Sequence, residues 1–167
     1  MKIFKKYKLE QAVSTDDYRE ILQNIQIEDG NAVATTGRIL VSVPIEMEKG
    51  DSDGLISTRA FKSGRKVGKL SYFCLKLRKR WIQAEDKVIY PRGKGVFPSW
   101  KNLFKEMDGL DLEAVEEINF DAELLVTIQR ALGANGIKLR FRGQTKAIEV
   151  LPERNGNGRG LLMPKRS

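Results

Sequence analysis

Residues 54–78 read GLISTRAFKSGRKVGKLSYFCLKLR. An apolar pair, Leu55-Ile56, precedes Ser57-Thr58, whose side chains suit the first free amides of a helix. The tail of the stretch, LSYFCLKLR, alternates apolar and polar residues with the period of two that marks a strand with one buried face. The stretch therefore predicts a short strand, a capped helix over STRAFKSGRKVGK and a second strand. Within that helix Arg59, Lys62, Arg65, Lys66 and Lys69 fall on one stripe, while Ala60, Phe61 and Val67 point elsewhere. Gly64 and Gly68 weaken the helix by about 1 kcal/mol each relative to alanine, but they permit close approach to a sheet or to DNA.

The same order recurs on both sides. Upstream, KIFKKYKLEQAV (2–13) is strand-like, and STDDYREILQN (14–24) reads as a helix capped by Ser14 or Thr15. Short strands follow around the Asp29-Gly30 turn, with a bend at Thr36-Gly37 and a polar linker at 46–54. After the central unit's strands, LSYFCLKLR and RWIQAEDKVIYPR, comes GVFPSWKNLFKEM (95–107). Downstream, EEINF (116–120) predicts a strand and DAELLVTIQRALG a helix capped by Asp121 and stopped by Gly133. GIKLRFR, KAIEVLP and GLLMPK then read as strands. Three units of strand, short helix and antiparallel strands make an α+β repeat with the helices on one face of the sheet. Residues 1–107 would hold two half-repeats as one domain, and 108–167 a third.

Composition narrows the function. Of the 167 residues 41% are apolar and 31% charged, a globular profile. No apolar run reaches membrane-spanning length, and MKIFKKYKLE is not followed by a signal-peptide core. Cys74 is the single cysteine, read as buried packing, and a cytoplasmic location is expected. The sequence has no histidine, which excludes Ser–His and Cys–His nucleophile pairs and imidazole zinc sites. No phosphate-binding glycine loop is present either, so a binding protein without cofactor or metal is expected rather than an enzyme. The close acid pairs Glu85-Asp86 and Asp108/Asp111 read as solvated turns. Of the net charge of +8, residues 59–94 carry +10, with twelve Lys and Arg against Glu85 and Asp86. Two readings of that asymmetry stand at this point: a partner that is a polyanion, or a solvated basic face. LRKRW (77–81) matches no recognised motif.

Four segments in order resemble the bacterial DNA sliding clamp, the beta subunit of the replicative polymerase: AVATTGRIL (32–40), GLISTRAFKSGRKV (54–67), VFPSWKNLF (96–104), and EINFDAELLVTIQRALGANGIKLRF with AIEV and GLLMPKR. The departures are specific. Thr36 stands where the family has Asp, Arg38-Ile39 where it has His-Arg, and Lys165 where Met is usual. The chain also has about three half-repeats where a clamp subunit has six, so the resemblance is to a shortened or divergent clamp-like protein.

The resemblance implies a clamp-like fold and a processivity factor. Arg59, Lys62, Arg65, Lys66 and Lys69 would contact duplex DNA phosphates without sequence readout. It also implies a hydrophobic groove for peptides of DNA polymerase and repair proteins, at Thr35, Gly37, Leu40, Pro98, Leu103, Leu162, Met163, Pro164 and Arg166. A ring would need about four copies of such a chain, hence a homo-oligomer. The alternative is a non-ring, phage- or element-encoded module that engages the same peptides. For the terminal Leu161-Leu162-Met163, closing a core strand competes with lining the groove.

Overall fold

The computed structural model describes residues 1–67, 71–154 and 156–165. Its strands are β1 (Lys2–Phe4), β2 (Asn24–Glu28), β3 (Asn31–Thr35), β4 (Ile39–Pro44), β5 (Gly54–Ser57), β6 (Tyr72–Leu77), β7 (Trp81–Ala84), β8 (Ile89–Pro91), β9 (Ile137–Arg140), β10 (Ile148–Pro152) and β11 (Arg159–Leu162). The helices are α1 (Thr58–Val67), α2 (Trp100–Asp108) and α3 (Ala122–Leu132). The strands form two antiparallel sheets, ordered β1-β6-β7-β8 and β5-β2-β3-β4-β11-β10-β9.

Local chemistry sets most of these elements. Asp29 and Gly30 both take positive φ, 48° and 71°, the two-residue turn that matches strand twist, and β2 and β3 pair across it from Glu28 to Asn31. In α3 the Asp121 carboxylate accepts from the Glu123 amide, and Gly133 closes the helix in the left-handed conformation.

The first two segments trade their leading strands. β1 leaves its own segment to pair with β6, and β5 pairs back with β2. The third segment joins through its last strand, β11, which runs antiparallel to β4 from Ile39 to Ser42. Strand alternation then gives the seven-stranded sheet two apolar faces. Ala32, Ala34, Val41, Val43, Ile148 and Leu162 face the main core with the buried sides of α1 and α3. Val33, Leu40 and Leu161 face the other way and are covered by Trp100, Phe104 and Met107 of α2.

Two expected elements are absent among the described residues. Within residues 14–24 the chain forms 3-10 turns over Asp17–Gln23, capped by Asp16 rather than Ser14 or Thr15, and residues 17–23 bury no side chain. The segment has only Ile21 and Leu22 to offer a core, too narrow a stripe to hold an α-helix. Another 3-10 turn, Leu9–Gln11, occupies the core instead, with Leu9 fully buried. It touches both helices: Glu10 pairs with Arg65 of α1 at 2.7 Å, and the Lys8 amide donates to the Ala131 carbonyl of α3. Residues 116–120 form no strand, because only one edge is bonded: the Lys165 amide donates to the Asn119 carbonyl.

Gly64 lies on the sheet side of α1. A β-carbon there would sit 2.7 Å from Leu75 Cδ2 and 2.9 Å from Phe73 Cδ2. Alanine is the better helix former by about 1 kcal/mol, but overpacking a closed core costs about 1–3 kcal/mol. Gly64→Ala is therefore expected to lower the unfolding free energy by up to about 2 kcal/mol, read from the urea midpoint.

Candidate functional site

The β4–β11 pairing and α2 enclose a cleft of about 300 Å³ lined by Thr35, Gly37, Arg38, Ile39, Leu40, Leu103, Glu106, Met107, Thr145, Lys146, Ala147, Leu161 and Met163. Four parts of the chain supply it, residues 145–147 ahead of β10 being one. The β3–β4 turn brings Thr35 to Leu40. Gly37, at φ 88°, leaves room for Arg19, whose Nη1 would lie 2.5 Å from a β-carbon there and donates to the Thr36 carbonyl. The Thr35 hydroxyl donates to the Ile39 carbonyl and accepts from the Gly37 amide, so it shapes the turn. α2 supplies Leu103, 46% exposed, and Met107 beneath it. The tail supplies Met163, 50% exposed, whose amide donates to the Arg38 carbonyl at 2.9 Å. At the rim, exposed Arg38 makes no ion pair among the described residues, and Lys146 lies 3.8 Å from Glu106.

Thr35, Gly37, Leu40, Leu103 and Met163 thus meet where the sequence expects them together. Leu162 is corrected: it is fully buried on the opposite face of β11, and Leu161 faces the cleft. Alternation counted back from Met163 carries that signal, since residues 161 and 163 share a face. Pro98 lines a neighbouring cleft with Val96 and residues 17–22. Pro164 lines another with residues 117–119, 144–145, Met163 and Lys165. Arg166 lies outside the described residues. Met107 and residues 145–147 were not singled out by sequence; their contribution depends on long-range pairing.

α2 is fastened at both ends. The Glu28 carboxylate accepts from Trp100 Nε1 at 2.7 Å and from Lys101 Nζ at 2.6 Å, while Lys101 also pairs with Asp29. At the other end Arg159 bridges Asp108 and buried Glu149, both at 2.6 Å, and lies over the Phe104 ring. The bond from Lys101 pulls the Glu28 carboxyl below its ordinary range, with Trp100 adding to it against the effect of burial. The bond from Arg159 does the same for Asp108.

The cationic stripe divides. Arg59, Lys62 and Lys66 are exposed on α1 and make no ion pair among the described residues. Arg65 is corrected: its guanidinium is turned onto Glu10, which is 7% exposed, and holds the core turn in place. Lys69 lies outside the described residues. Of the acid pairs, Glu85 accepts from the Cys74 amide of β6, and Asp86 accepts from Ser63 and from the Val88 amide. Asp108 is corrected: it ends α2 in its pair with Arg159 rather than in a solvated turn. In LRKRW, Arg78 binds the Gly50 carbonyl and Asp51. Among the described residues no cluster of three or more metal-ligating side chains occurs, and no helix is long and apolar enough to cross a membrane.

No protein-family model and no curated protein matches the chain. Solved structures do. The beta sliding clamp of Caulobacter crescentus superposes with a TM-score of 0.71 at 14% identity, over 100% of this chain and 65% of that one. The DNA polymerase III beta subunit of Thermotoga maritima gives 0.70 at 14%, with the same coverage. The sliding clamp of Bacillus subtilis gives 0.71 at 14%, over 100% and 64%. The chain has the α+β fold of the bacterial sliding clamps and spans about 65% of the length of those it matches.

Folding lowers the pKa of Glu28 and Asp108, so it favours their ionised forms. Their stabilisation is complete at neutral pH and is lost as the pH falls through the ordinary carboxylate range, about 4, toward the lowered values. Urea midpoints should drop across that window, and Glu28→Gln should flatten the drop. Separately, Arg65→Ala leaves the Glu10 carboxylate buried and unpaired, and should cost about 1–3 kcal/mol. Lys62→Ala and Lys66→Ala should stay within about 0.5 kcal/mol of the parent.

Proposed function

We propose that the protein is a clamp-like processivity factor that tethers a polymerase or repair protein to duplex DNA. The observation that carries this reading is the cleft itself. Leu40, Leu103, Met107, Leu161 and Met163, drawn from three separate parts of the chain, meet in one apolar-floored concavity. Methionine and leucine give such a floor adaptable contact with short linear peptides, and Arg38 offers a cation at its rim for a peptide carboxylate or carbonyl.

Arg59, Lys62 and Lys66 supply the second half of the reading. They stand at i, i+3 and i+7 on the open side of α1, where three unpaired charges suit phosphates and read no base. A ring about the duplex requires association of several copies, about four by the count of half-repeats. The non-ring alternative keeps the cleft and gives up topological retention on DNA.

Binding of a labelled short linear peptide that carries two adjacent large apolar side chains and one carboxylate, to suit the apolar floor and Arg38 at the rim, measures the first half. Met163→Ala and Leu103→Ala should each weaken it about 5- to 30-fold, by the loss of one apolar anchor, with duplex binding unchanged. Unchanged peptide affinity in both variants would remove the groove from this reading. Lys62→Ala with Lys66→Ala should lower affinity for duplex DNA and reduce the salt slope of log K by about 2. Equal retention on closed circular and linear duplex would favour the non-ring module.

A further inference from the structure

The three segments repeat a backbone pattern that the third leaves half finished. In the first, Lys2 of β1 exchanges two hydrogen bonds with Glu46, just past the segment's last strand, β4. In the second, the Gly93 amide, just past β8, donates to the Leu55 carbonyl of β5. In the third, the Lys165 amide, just past β11, donates to the Asn119 carbonyl. Asn119 therefore occupies the place of Lys2 and Leu55, and residues 116–120, which form no strand, stand in the position of the third segment's leading strand.

The other edge of each leading strand differs. β1 pairs with β6, the first strand after α1, and β5 pairs with β2, the first strand after the corresponding turns. The third segment's equivalent of β2 and β6 is β9, which pairs with β10 on one side only. So among the described residues both 116–120 and residues 137–140 of β9 keep one unpaired edge; just past β9 the Phe141 carbonyl accepts from the Glu113 amide of the same chain, which bounds the open stretch.

Burial agrees with this. The leading-strand pairs Ile3–Phe73 and Ile56–Ile25 are fully buried. Their counterparts in the third segment, Phe120 and Ile137, are only half-buried, as are Ile118 and Leu139. Hydrogen-bond phase agrees too. The Asn119 carbonyl faces Lys165, so the backbone groups of 118 and 120 face the open side. The Gly136 carbonyl accepts from Glu153 of the neighbouring chain segment, so 137 and 139 turn their groups to the open edge of β9.

We propose that a second copy of this chain completes the third segment: residues 116–120 of each copy add to the β9 edge of the other in a two-fold exchange. Phe120 pairs with Ile137 of the second copy and Ile118 with its Leu139, the phase that both open edges share. The exchange is the one that joins the first and second segments within the chain, here made between copies. An isologous contact of this kind closes on itself, which removes two exposed edges that would otherwise template open-ended association.

The inference deepens the ring reading by naming one of its interfaces, but its test uses neither DNA nor peptide. Asn119 and Lys138 would face each other as a non-hydrogen-bonded pair, the closer type, and both are exposed. In a Cys74→Ser background, Asn119→Cys with Lys138→Cys should give a disulfide-linked dimer on mild oxidation, and neither single variant should. Light scattering of the unmodified chain, without DNA, should show mass rising from one copy to two or more between low and high micromolar concentration. A monomer throughout overturns the proposal, and so does an oligomer in which the double variant folds but does not cross-link. A failure here leaves DNA and peptide affinities as they are measured, so it is distinguishable from a failure of the proposed function.

Discussion

The antiparallel register of β4 against β11 is the constraint on which the candidate site depends. It sets Leu161 opposite Leu40 and Leu162 opposite Ile39. A strand has a side-chain period of two, so a one-residue slip would move Leu162 out of the core and Leu161 into it. It would also move Met163 to the far side of the tail and strip the cleft of its third wall. The register is held by packing on both faces. Gly160 lies against α3, where a β-carbon would sit 2.4 Å from Ile128 Cγ2, and Leu161 lies with Phe104 and Met107 under α2. Neither contact would survive a slip, so core packing and cleft geometry are fixed by the same pairing.

The division of the cations follows the chemistry of the two basic side chains. Most of the cations drawn into the protein are arginines: Arg65 on Glu10, Arg78 on Asp51, Arg92 on the Ser52 and Asp53 carbonyls, and Arg159 between Asp108 and Glu149, with Lys101 on Glu28 and Asp29 the lysine that does likewise. A planar guanidinium offers several fixed donors and can hold two partners at once, whereas an ammonium is more strongly hydrated and favours the surface. Lys62 and Lys66 accordingly stand in solvent on α1. The charge excess of residues 59–94 is thus two populations. Part of it fastens loops to the sheets, and only the remainder is open to a polyanion.

Local signals are legible in the sequence, and long-range ones less so. The Asp29-Gly30 turn, the Asp121 cap and the Gly133 stop each rest on a preference satisfied within a few residues, and each stands in the structure. The helix expected over 14–24 rested on its cap signal and acids alone; without an apolar stripe to bury, the chain kept 3-10 turns. Arg65 shares a helical face with Lys62 and Lys66 by spacing, and nothing local to α1 reveals that Glu10, more than fifty residues upstream, waits beside it. The joining of the Thr35–Leu40 turn, Leu103 and the Met163 tail in one cleft was expected only through the resemblance to the clamp family, not from a local signal. Leu161 and Met107 were not expected there, because their roles depend on which sheet face α2 covers.

The tail links the cleft to the open edge of the third segment. Met163 is held to the β3–β4 turn through Arg38, and two residues later Lys165 is held to Asn119. Residues 116–120 therefore carry the tail on one edge and stand free on the other. As a lone extended segment bonded on one side, it lacks the second ladder that anchors β1 and β5. Pairing that free edge with β9 of a second copy would supply the missing ladder and narrow the range of positions open to the Asn119 carbonyl. The backbone of Lys165, and with it the approach of Met163 to the cleft, would be constrained in the same step. Assembly and cleft geometry then share one short run of backbone, and a contact between copies would act on the cleft without touching a residue that lines it.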